Sequence, residues 1–208
     1  MKHFTDLKFN KQELEKKLLS FPTDQQQRIQ QALTLAEKHH AGQVRNAEKP
    51  KNTPYIIHPI GCALWLIEQK ITDIDIIIAT ILHDTLEDTQ LSPDTIKSQF
   101  GKRILELVKS VTRERSPDET EEQKRVNKIE HFKKLTDEPA ATKLIKAADF
   151  LDNMRSWPFV PINASMAYKI PRWIKEAEQY YIPIANAVAP QAVPEMEEIV
   201  TKVKEKFS

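Results

Sequence analysis

The chain has 208 residues, 40% of them apolar and 29% charged, enough to bury a sizeable core as one domain, which excludes disorder as its main state. Three glycines against 13 prolines leave too few flexible turn residues for a sandwich, a barrel or a glycine-rich nucleotide fold, so an all-α protein is expected. Lys and Arg number 31 against 30 Asp and Glu, a net charge of +1, so no overall field draws in a polyanion and nucleic acid is not an expected partner.

In chain order, residues 1–20 are charged throughout, with no continuous apolar stretch for a signal peptide or membrane span. Together with a single cysteine, Cys62, which has no disulfide partner in the chain, this predicts a cytoplasmic protein without a membrane anchor. Leu14, Leu18 and Leu19 give residues 9–19 helical spacing, closed by Phe21-Pro22. A second helix runs from Thr23-Asp24 to about His40 on Ile29, Leu33, Leu35 and Ala36. The polar stretch 41–54 (AGQVRNAEKPKNTP) is expected as a surface loop, and His58-Pro59 opens a helix with Ala63, Leu64, Leu66 and Ile67 on its apolar face.

Thr72 or Asp73 caps the next helix, DIDIIIATILHDTLED, which is apolar on nearly every side from Ile74 to Leu82 and therefore buried. Ser92-Pro93-Asp94 caps a short helix ending at Phe100-Gly101, and Ile104, Leu105, Leu107, Val108 and Val111 form the stripe of another. Residues 113–128 read as a charged loop running into an exposed helix. The buried pattern resumes over 143–157 and ends at Pro158 and Pro161; a long helix follows from Asn163 or Pro171 to about Ala187, and an amphipathic helix closes the chain after Pro190 and Pro194.

Four ionisable residues, His83, Asp84, Glu87 and Asp88, end the most apolar helix. Bringing them next to a dry core is costly unless they are paired or hold a metal. Spacing by four puts Glu87 beside His83 and Asp88 beside Asp84. Imidazole and carboxylate suit a borderline divalent ion, but two adjacent residues cannot hold one, so further ligands are needed from elsewhere. His58, at a helix start, and Asp149, which interrupts an apolar stretch with Asn153 one turn on, fit that need. Two nitrogens and two carboxylates would leave positions open for water and substrate.

The segments HAGQVR (40–45), YIIHP (55–59), ILHDTLEDT (81–89), FGKRILELVKSVT (100–112), KAADFLDNM (146–154) and WIKEAEQYYIPIANAV (173–188) resemble, in order, the motifs of HD-superfamily phosphohydrolases of the RelA/SpoT type. The likeness covers about residues 25 to 190, and with no length left for a synthetase domain the nearer match is to the small alarmone hydrolases, metazoan SpoT homologues included. It implies an HD-domain helical bundle at 23–190, a helical extension at 1–22 and a C-terminal helix at 191–208 packed on the domain. It further implies one manganese ion per chain, other divalent ions being compatible, held by His58, His83, Asp84 and Asp149. Glu87 and Asp88 would position and activate water. Gln43, Arg45, Lys49 and Lys51 would meet the nucleotide, Asn153 its ribose, and Lys143 and Lys146 its phosphates. The implied reaction removes the 3′-pyrophosphate of (p)ppGpp, leaving GDP or GTP and pyrophosphate. Asn46, Phe150 and a long loop at 46–53 depart from the family pattern and bear on base and phosphate recognition.

Plainer readings stand beside these. Asp149 can pair with Lys146 or Lys143; His39 and His40 read as helix-end surface residues, His40 buttressing the loop; His3 and His131 read as solvated; Trp157, Trp173, Tyr180 and Tyr181 read as core. The substrate could instead be (p)ppApp or the 2′-phosphate of NADPH, or the chain a non-catalytic nucleotide sensor. Homo-oligomerisation stays open.

Overall fold

Helix boundaries follow local chemistry in the computed structural model, which describes residues 6–45, 53–113, 116 and 118–208. Helix α1 (Leu7–Leu18) is capped by Asp6, whose carboxylate accepts the Phe9 N–H; α2 spans Thr23–His39. Helix α3 (Ile57–Glu68) is followed by α4 (Ile74–Leu82), capped by Asp73 on the Asp75 N–H. After α5 (Thr85–Asp88), Ser92 caps α6 (Pro93–Phe100), with Pro93 in its first turn. Gly101, at φ +94°, makes the sharp entry to α7 (Lys102–Val111), a backbone angle that side chains resist. Thr120 and Gln123 form a reciprocal capping box at the start of α8 (Glu121–Asp137). Then come α9 (Ala140–Ser156), α10 (Ile170–Glu176), α11 (Ile182–Val188) and α12 (Val193–Phe207).

Three of these helices form the centre. Helix α3 packs on α1, α4 and α9, while α4 also packs on α2, α7 and α9. Seven consecutive residues of α4, Ile76 to Leu82, are buried, as a helix apolar on every side demands. Each of the five Ile and Leu side chains among them contributes about 1.5–3 kcal/mol by leaving water. Helix α12 closes the base of α9: Met196, Ile199, Val200 and Val203 are buried, Arg155 grips Glu195 with two nitrogens at 2.5 and 2.8 Å, and Lys206 donates to the carbonyls of Pro158 and Val160. The loop expected after α2 is pinched at its base by one antiparallel bridge, Val44 with Pro54. Among the described residues there is no strand, and the fold is a single all-α domain.

Four expectations need correction. The helix read through DIDIIIATILHDTLED is interrupted at His83-Asp84: the His83 ring donates to the Thr80 carbonyl and ends α4, and α5 restarts with Asp88 N–H on the Asp84 carbonyl at 2.8 Å. The helix read to Ala187 is likewise not uniform, because a wider turn over Ala177–Tyr181, with i to i+5 spacing, separates α10 from α11. His131 is not a solvated surface residue; it is half-buried in the cleft described below, where burial and the nearby Lys146, Arg113 and Lys134 lower its pKa to about 4. His40 is also buried, with Nδ1 on Gln43 Oε1 at 2.7 Å, so it supports the loop from inside.

Candidate metal centre

The three central helices each deliver polar groups to one point: α3 brings His58 from its first turn, the end of α4 brings His83 and Asp84, and the middle of α9 brings Asp149. His58 and His83 are 1–2% exposed. Their rings stand 5.1 Å apart, edge to face. His83 Nε2 lies 3.0 Å from Asp84 Oδ2 and 3.8 Å from Asp149 Oδ1; His58 Nε2 lies 3.6 Å and 3.3 Å from the same two atoms. Coordinating atoms of His58, His83 and Asp84 all fall within 4.8 Å of one another.

Both Nε2 atoms are buried without a hydrogen-bond partner, whereas both Nδ1 atoms are occupied, that of His83 by the Thr80 carbonyl at 2.7 Å and that of His58 by Asp152 at 2.6 Å. Two imidazole nitrogens thus face two carboxylate oxygens, a donor set that a divalent cation satisfies once it displaces the ring protons. The electrostatics agree. Burial lowers the pKa of His83, but Asp84 and Asp149 outweigh it and raise it well above the ordinary value. Burial raises Asp149, but Lys146, His58 and His83 together hold it well below the usual carboxylate range. The pocket favours positive charge.

All but one of the other predicted residues among those described gather around this point. Lys146 bonds Asp149 Oδ2, so the ion-pair reading of Asp149 holds alongside its position at the histidines. Asn153 donates to Asp149 Oδ1 at 2.6 Å. Glu87 and Asp88 line the cleft over the centre. Glu87 Oε2 accepts the Arg113 backbone N–H at 3.0 Å. Gln43 is engaged internally, donating to the Asp88 carbonyl at 2.8 Å. Arg45 is held by Asp152 at 2.6 Å and Asn153 at 3.2 Å. Lys143 is partly buried on α9 and lines neither lobe of the cleft. Asn46, Lys49 and Lys51 lie outside the described residues.

The cleft has two lobes sharing Tyr55, Lys128, Phe132, Lys146, Asp149 and Asn153. One, of about 450 Å³, is walled by Arg113, Lys124, Arg125, Lys169 and Arg172 opposite Glu87 and Asp88. The other, of about 410 Å³, is walled by Phe150, Trp157, Trp173 and Tyr181. Phe150 and Tyr181 stack at 4.0 Å and Trp157 and Trp173 at 5.7 Å. Of the aromatic residues read as core, Trp157, Trp173 and Tyr181 also wall the cleft, while Tyr180 is half-buried against Phe132 and lines neither lobe.

Sequence reasoning missed four residues. Tyr55 donates its hydroxyl to Asp84 Oδ2, and its ring stands 4.8 Å from that of His40; it lay within a recognised motif. Asp152 lies one turn from Asp149 and could have been found by the same helical spacing that selected Asn153. Arg113 and Gly61 gave no local signal, because their partners are distant in the chain.

The sequence matches the HD domain family over residues 32–188. It is 36% identical over 179 residues to a guanosine-3′,5′-bis(diphosphate) 3′-pyrophosphohydrolase of Aquifex aeolicus, covering 84% of this chain and 23% of that protein. It is 38% identical over 121 residues to the pyrophosphohydrolase MESH1 of Danio rerio, covering 58% of this chain and 63% of that one. The chain thus spans less than two thirds of either relative's length. A solved structure described as a metazoan ortholog of SpoT that hydrolyzes ppGpp superposes with a TM-score of 0.73 at 26% identity, over 91% of this chain and 99% of the other.

Proposed function

This chain belongs to the HD-domain family, and we propose that it is a metal-dependent phosphohydrolase that removes the 3′-pyrophosphate of guanosine-3′,5′-bis(diphosphate), releasing pyrophosphate and the 5′-nucleotide. The observation that carries the reading is the pair of buried, unpartnered Nε2 atoms of His58 and His83 facing Asp84 and Asp149 at the junction of a cationic and an aromatic lobe. Those four residues would hold one divalent ion, manganese by likeness to the family, with Glu87 and Asp88 left for the water. Bound there, the ion supplies a Lewis acid that lowers the pKa of water and neutralises phosphate charge.

The protein's own groups do the rest. Glu87, oriented by Arg113, accepts the proton of the attacking water. Lys146 and the cations walling the first lobe offset the charge of the pyrophosphate as it departs. The aromatic lobe takes the base by stacking, with Asn153 at the ribose. No helix among the described residues is long and apolar enough to cross a membrane. A small nucleotide as substrate and a buried free thiol, Cys62, suit the cytosol.

Turnover of ppGpp, pppGpp, ppApp and NADPH in manganese, with pyrophosphate and orthophosphate measured separately, tests this. Pyrophosphate released fastest from the guanosine substrates supports it. Faster pyrophosphate release from ppApp, or orthophosphate from NADPH, overturns the substrate and leaves the metal centre standing.

A further inference from the structure

The Asp152 carboxylate, 4% exposed, does two things with one oxygen: Oδ2 accepts from His58 Nδ1 at 2.6 Å and from an Arg45 guanidinium nitrogen at 2.6 Å. Its other oxygen, Oδ1, lies against Gly61, where an added Cβ would collide with it. Gly61 sits inside α3, in ordinary helical backbone. A glycine there costs about 1 kcal/mol relative to alanine, so it is explained by the space that Asp152 occupies.

A histidine can give a metal only one nitrogen at a time, and Nε2 offers its lone pair only when the proton sits on Nδ1. The two histidines of the centre meet this requirement differently. His83 places its Nδ1 proton on a neutral acceptor, the Thr80 carbonyl. His58 places its own on a side chain, the Asp152 carboxylate, whose same oxygen is also gripped by the Arg45 guanidinium.

We propose that Asp152 is a positioning residue of the metal centre. It locks His58 in the ligating tautomer and ring orientation, and through Arg45 it ties the start of the 41–54 loop to the same anchor. This rests on the reading of His58 as a metal ligand.

The test measures manganese affinity of the full chain by calorimetry, with no nucleotide present, beside nitrogen-15 histidine spectra of the metal-free protein. Asp152→Asn keeps the shape and removes the charge; Gly61→Ala keeps the charge and displaces it. Both should raise the manganese Kd, by about 10–100-fold for Asp152→Asn, the usual effect of losing an outer-sphere partner. The His58 Nδ1 proton should lose its strongly hydrogen-bonded shift in both, a change that loss of stability alone does not produce. If Asp152→Asn fails to fold, Gly61→Ala carries the test. Folded variants that bind manganese within about threefold of the unaltered protein, with the His58 resonances unmoved, overturn the role. An unaltered protein that takes up no manganese overturns the metal centre as well. Failure of the substrate reading alone leaves the measurement unaffected.

Discussion

Glu87 is held at the cleft by Arg113, which supplies a backbone N–H at 3.0 Å to Oε2 and a guanidinium nitrogen 3.6 Å from Oε1. A carboxylate so held can accept a proton without first finding its orientation. Glu87→Gln should therefore retain full manganese content while kcat falls by about 10²–10⁴-fold, the scale of a lost general base; metal analysis beside steady-state kinetics checks both. Arg45 requires a different expectation. Its side chain and that of Asp152 are 8% and 5% exposed, so Arg45→Ala takes the guanidinium from a buried carboxylate that keeps its bond to His58 and should cost about 3 kcal/mol in denaturant unfolding. Any rise in KM would come on top of that loss. The histidines and Asp149 were legible in the sequence because ionisable residues inside apolar helices demand an explanation. Helical spacing from Asp149 also reaches Asp152, but its purpose depends on Gly61 and His58, some ninety residues earlier in the chain.

Helix α8 buries only Phe132 and Leu135, yet it supplies Lys124, Arg125, Lys128 and His131 to the cleft. Lys128 reaches across to Glu176 at 2.7 Å and so joins α8 to α10. The charge run was legible as an exposed helix, but which face met the cleft was not, because weak amphipathicity gives no direction. His131 provides a test of the packing. Its pKa of about 4 against an ordinary 6.5 means that the fold holds it neutral, so its contribution is present above pH 6.5 and is lost as pH falls toward 4. His131→Gln should flatten the acid side of a Tm-against-pH curve in that window; an unchanged slope would place His131 in water. In α4 the pattern was fully legible, and Ile78→Ala, at a fully buried position, should cost about 2–5 kcal/mol in chemical unfolding.

Across the whole molecule, scarce glycine and helical periodicity were enough to predict an all-α domain. The cleft was beyond such reasoning, since its walls come from α8, α9, α10 and the wide turn over Ala177–Tyr181. Only long-range packing brings these together. Because the proposed metal centre joins α3, α4 and α9, a bound ion should stabilise the entire fold. Manganese at a hundredfold excess over its Kd adds about 2.7 kcal/mol, which for a chain of this size raises Tm by about 5–10 °C; calorimetric scans with and without a chelator read that shift. In the proposed reaction water attacks phosphorus at the 3′-pyrophosphate under the control of this centre. Its most direct measurement is turnover of ppGpp with manganese in oxygen-18 water, followed by mass spectrometry of both products. One labelled oxygen in pyrophosphate, none in GDP, and no turnover after chelation are expected. Orthophosphate as the product, label in GDP, or equal turnover without metal would contradict the proposed reaction.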